Sequence, residues 1–91
     1  MTQPLAKDVE TEFLRFKRAV EKFNTYHSPE ANAEILGIEG DKVFVKMTGV
    51  FCISCGVFDY FEDIAIEADA EILSYEEVED GFLLEYRLRR R

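Results

Sequence analysis

A two-layer α+β sandwich is the fold this sequence predicts: two helices on one face of a mainly antiparallel four-stranded sheet, in the order α-β-β-α-β-β. Three observations lead to it. Two segments repeat apolar residues at helical spacing, four shorter segments read as strands, and the strands come in pairs joined by Gly40-Asp41 and Asp80-Gly81. Elements in that order bury their apolar sides against one another, which gives two layers.

The first helix is expected over residues 5–26. Val9, Phe13, Phe16, Val20 and Phe23 recur at steps of four, three, four and three, so they share one face. Pro4 suits the first turn, and Ser28-Pro29 ends the helix because the residue before a proline avoids the helical region. Strand-like residues 34–39 and 42–48 then form a hairpin about Gly40-Asp41. Val43, Val45 and Met47 alternate with Phe44, Lys46 and Thr48, so one face of that strand belongs to the core.

A second helix is expected from about residue 55 or 56 to residue 69, with Val57, Phe58, Phe61, Ile64, Ala65 and Ala68 as its apolar stripe. Asp59, Glu62 and Asp63 stand toward its start, where the helix dipole favours acids. Strands over residues 71–77 and 82–89 close the chain. Phe82, Leu84, Tyr86 and Leu88 alternate with Leu83, Glu85, Arg87 and Arg89, and Asp80-Gly81 is the hairpin signal between the two strands. These periods place Phe13, Phe16, Val20, Phe58 and Phe61 in the core.

At 91 residues the chain reads as one domain with a modest core. No apolar run is long enough to span a bilayer, and the start lacks a basic region followed by an apolar stretch. A cytoplasmic protein away from membranes is therefore expected. The net charge is −8, and between Lys46 and Arg87 eleven acids stand with no base among them. Such a surface repels phosphate backbones, which argues against nucleic acid as a partner. Arg87, Arg89, Arg90 and Arg91 crowd the C-terminus and read as a solvated end.

The chemistry of the chain centres on Cys52-Ile53-Ser54-Cys55, which holds its only two cysteines. Three residues apart, two thiols can share one metal ion or close a small disulfide. They stand between a strand that ends at Gly49 and the second helix, where a helix N-terminus favours the thiolate. In a chain expected to be cytoplasmic, metal binding or redox chemistry is favoured over a structural disulfide. A closed zinc site or an iron–sulfur cluster takes about four ligands, so Cys52 and Cys55 from each of two chains would complete one.

His27, the single histidine, reads as a surface or capping residue beside a helix end. Thiol–disulfide exchange is the enzymatic alternative. Against it, Pro4 and Pro29 both precede Cys52, whereas thioredoxin-type folds place a cis-proline downstream. The acids after Cys55 also oppose thiolate formation. A third reading keeps both cysteines as small structural residues in a protein-interaction module. No phosphate-binding glycine loop or nucleophile elbow is present, and the carboxylates read as solvated faces.

Residues 29–49, PEANAEILGIEGDKVFVKMTG, run into Cys52-Ile53-Ser54-Cys55 and then an amphipathic helix. This stretch resembles the C-terminal domain of NifU-type iron–sulfur cluster scaffold proteins, within the iron–sulfur cluster assembly domain-like superfamily. The resemblance covers about residues 13–70. Val50 and Phe51 stand between Gly49 and Cys52 where the family usually has one residue, Glu30-Ala31-Asn32 replaces Gly-Gly-Asp, and Gly56 stands where a proline is common. The resemblance implies Cys52 and Cys55 as cluster ligands, a homodimer when loaded, and donor or recipient proteins of cluster assembly as partners. It implies a carrier rather than an enzyme, with zinc as the alternative metal. The same fold resembles the type II KH RNA-binding domain, but this chain has no GXXG loop between helices and is strongly acidic.

Overall fold

Two amphipathic segments and two hairpins become α1 (Pro4–His27), β1 (Ala31–Glu39), β2 (Lys42–Gly49), α2 (Val57–Ala68), β3 (Ala70–Val78) and β4 (Gly81–Leu88). The structure, a computed structural model, describes residues 4–27, 31–49 and 57–89. The expected α+β order is present. The sheet order is β1-β2-β4-β3, and all three pairings are antiparallel. Each hairpin therefore supplies one edge strand and one central strand. The pairing of β2 with β4, from Lys42↔Arg87 to Thr48↔Gly81, joins the two halves. The Leu88 amide donates to the Asp41 carbonyl at 2.7 Å and extends that junction into the first hairpin turn.

The strand alternation sorts the side chains as the sequence predicts. Val43, Val45, Met47, Phe82, Leu84, Tyr86 and Leu88 are buried in one cluster with Phe16, Ala19, Val20, Phe23, Phe61, Ile64 and Ala68 of the helices. Tyr86 is the point where both helices meet the sheet. Its ring lies edge-on to Phe16 of α1, with centroids 5.0 Å apart, and its hydroxyl donates to the Phe61 carbonyl of α2 at 2.9 Å. The helices run antiparallel, since Lys22 meets Glu67 and His27 meets Asp63 farther back along α2.

β1 begins at Ala31, three residues before the expected start. Ala31 and Ala33 are weak strand formers, so propensity conceals this extension. Their small side chains let α1 approach the strand. Asn24 then donates from Nδ2 to the Ala33 carbonyl at 2.9 Å and accepts the Ala33 amide on Oδ1 at 2.7 Å. Each edge strand carries an irregularity, between Ile35 and Gly37 in β1 and between Ile72 and Ser74 in β3, leaving Leu36 and Leu73 as the extra residues.

The two turns differ in chemistry. Glu39 pairs with Lys42 around Gly40-Asp41, and Gly40 has φ 63°, as a positive first turn residue requires. In the second hairpin Val78 pairs with Gly81, so the central turn residues are Glu79 and Asp80. Asp80-Gly81 marks the right hairpin one residue off. Gly81 is needed for a different reason: a Cβ there would run into the Met47 carbonyl oxygen of β2.

Two further expectations are corrected. Phe58 is 41% exposed, because the buried stripe of α2 follows Phe61, Ile64, Ala65 and Ala68. Phe58 belongs to the edge of that stripe and rests on Phe61 and Tyr75. Glu12 departs from the solvated carboxylates at 7% exposure, with Arg15 at 3.8 Å from its Oε1. Phe13 is half-buried against the core, and Phe16, Val20 and Phe61 are buried.

Candidate functional site

Cys52 and Cys55 lie outside the described residues, as does the expected helix start at 55 or 56. The structure describes what flanks them. β2 ends at Gly49, whose φ of 144° is a backbone conformation that L side chains rarely adopt. α2 begins at Val57, with Asp59 in its first turn. The motif thus belongs to the connection from a central strand to a helix N-terminus.

The end of the sheet from which this connection departs is acidic. Thr48 and Gly49 border an open hollow of about 430 Å³ together with Glu77, Glu79, Asp80 and Gly81. Lys46 reaches Asp80 at 3.3 Å. Carboxylates so placed favour the approach of cations and disfavour additional negative charge. They are hard oxygen donors, whereas the two thiols are soft donors suited to zinc or iron–sulfur chemistry. Among the described residues no group of three or more histidine, cysteine or acidic side chains could hold a metal ion. By donor type, Cys52 and Cys55 fit a thiophilic metal; by number, two thiols supply half of a closed site.

His27, expected at the surface or as a cap, is the last residue of α1 and packs against both helices. It is half-buried at the end of α1 between Phe23 and Tyr60, with ring centroids 4.3 and 5.0 Å away. Its Nε2 stands 3.5 Å from Asp63 Oδ2 of α2. Nearby, Lys22 donates to Glu67 at 3.0 Å, and that carboxylate raises the lysine pKa through the hydrogen bond and its charge. These contacts fasten α1 across α2 and border a cleft of about 140 Å³. The i to i+4 spacing of Phe23 and His27 was the available sequence signal for the stack. On α2, Tyr60 stands three residues after Val57 and four before Ile64, at the margin of the apolar stripe, and packs against the core.

A second feature has no single-residue signature. Phe58, Phe61, Tyr75 and Phe82 form a chain of ring contacts with centroids 5.2–5.8 Å apart, running from the core out to solvent beside β3. Phe58 and Tyr75 are its exposed end. Among the described residues no helix is long and apolar enough to cross a membrane. Compared with known proteins, the chain matches no family model, no curated protein and no solved structure. The likeness to the NifU-type domain therefore rests on the residues quoted above.

Proposed function

We propose that this protein is a small carrier of an iron–sulfur cluster or another thiophilic metal, held by Cys52 and Cys55. The observation that carries this reading is the placement of the only two thiols, three residues apart, in the connection from Gly49 of β2 to the N-terminus of α2. A helix N-terminus lowers thiol pKa and supports thiolate ligation. One chain supplies two thiolates and a closed site takes about four ligands, so loading joins two chains around one site. Delivery to a recipient protein, in the cytoplasm, is the role such a shared site would serve.

Anaerobic reconstitution with iron and sulfide, and separately with zinc, tests the reading. The expected outcome is one metal site per two chains and a shift from monomer to dimer in sedimentation velocity. Cys52→Ser and Cys55→Ser should each abolish both loading and dimerisation while leaving the far-UV circular dichroism unchanged. A protein that stays monomeric and metal-free, yet cycles between dithiol and disulfide, would instead be a thiol–disulfide module.

A further inference from the structure

The second edge of the sheet carries a surface independent of the cysteines. β3 is an edge strand, and its neighbour α2 exposes residues along the same side. Three large apolar side chains come together there: Phe58 at 41%, Tyr75 at 54% and Ile66 at 77% exposure. A groove of about 370 Å³ runs between α2 and β3 past Phe58, Ile66 and Ile72 and past the acids Glu62 and Glu71. Arg89, beyond the end of β4, is the cation at its rim. Neither α2 nor β3 contains a lysine, arginine or histidine.

The two edges are not alike. At β1 the Asn24 side chain occupies both backbone groups of Ala33. Among the described residues, no such side-chain or backbone bond is made to the outer edge of β3. An exposed strand edge is a template for another strand. The register states what a strand added there would meet. Ile72 and Tyr75 pair with the buried Tyr86 and Leu84, so they stand on the helix side, next to Phe58 and Ile66. Glu71 and Glu76 pair with Arg87 and Leu83 and stand on the opposite side. Successive side chains of an extended segment point to opposite faces. One set would contact aromatic and aliphatic groups, and the other set would face carboxylates.

We infer that β3 and the outer face of α2 form a docking edge for an extended basic peptide segment of a partner protein, one that alternates apolar residues with lysine or arginine. Charge complementarity selects this occupant: the edge strand carries Glu71, Glu76 and Glu77 and no base, with Glu62 beside it on α2, while Phe58, Ile66, Ile72 and Tyr75 supply apolar surface on the helix side. A second copy of this acidic chain would bring like charges together along the same edge.

A nine-residue peptide alternating lysine and valine tests this, with the glutamate–valine peptide as its control. Titration of the ¹⁵N-labelled full chain should give amide shift changes confined to β3, its turn and the outer residues of α2. The outward amides of β3 should also exchange more slowly with solvent. The glutamate–valine peptide should produce neither effect. Glu71→Lys with Glu76→Lys should weaken binding at least tenfold, whereas Glu34→Lys on the opposite edge strand should leave it within twofold. Shifts centred on β1 rather than on β3 would overturn the inference. So would equal binding of the two peptides, or unaltered affinity in the folded double variant.

Discussion

Tyr86 does three things that no other residue combines among the described residues. It fills the space between the helices, places its ring edge on Phe16, and donates its hydroxyl to a helix carbonyl. Burial raises its pKa above the ordinary value near 10. The phenolate is disfavoured inside the fold and is free to form in the unfolded chain. Stability from this group is therefore fully present below pH 10 and falls as pH climbs above it. Alkaline titration followed by tyrosine absorbance should show that Tyr86 ionises only as the protein unfolds. Tyr86→Phe should keep the packing, cost about 0.5–1.5 kcal/mol in urea denaturation at neutral pH, and flatten the loss of stability above pH 10. Gly81 makes the opposite point, since what matters there is an absent atom. Gly81→Ala would press a methyl group against the β2 backbone, which cannot rotate away as a side chain can. The expected loss is about 1–3 kcal/mol, read as a lower denaturation midpoint with an unchanged m-value.

At the scale of the element, β1 shows how a helix can close a sheet edge. Asn24 uses its amide as a strand would, with one donor and one acceptor on the same residue. Asn24→Ala removes both bonds and leaves the Ala33 groups to water. A loss of about 1–3 kcal/mol is expected, with faster exchange of the Ala33 amide as the specific readout. Asn24→Asp keeps the acceptor and loses the donor, so Ala33 amide protection should partly survive. α2 shows why a helical stripe read from sequence can be one residue too wide. Phe58 and Phe61 are three apart and look equivalent, yet Phe61 faces Tyr86 and Phe82 while Phe58 reaches the flank beside Tyr75. Three residues advance a helix by about 300°, so neighbours on a stripe diverge by roughly 60°. Only the position of the sheet decides which of them is buried.

At the scale of the whole molecule, one sandwich face must hold both helices and four strands together. Phe16 is fully enclosed at the centre of that layer. Phe16→Ala should cost about 3–5 kcal/mol, a large part of the roughly 5–15 kcal/mol that stabilises a domain of this kind. Thermal denaturation followed by circular dichroism would register it as a markedly lower midpoint. The sequence by itself determined the class of fold, the six elements, the buried faces of β2 and β4, and the two thiols between strand and helix. These depend on periodicity and on residue chemistry, which are local and visible along the chain. It also showed eleven acids and no base between Lys46 and Arg87, but not where they would gather. The tertiary structure decided that α2 and β3 lie side by side, which collects Glu62, Glu71, Glu76 and Glu77 with Phe58, Ile66 and Tyr75 along one edge and sends Asp63 and Glu67 to face α1. It decided as well that His27 stacks between Phe23 and Tyr60, and that Asn24 closes the other edge. Contacts between residues distant in the chain depend on strand order and helix rotation. No local pattern encodes those, because they are set by how the whole layer packs.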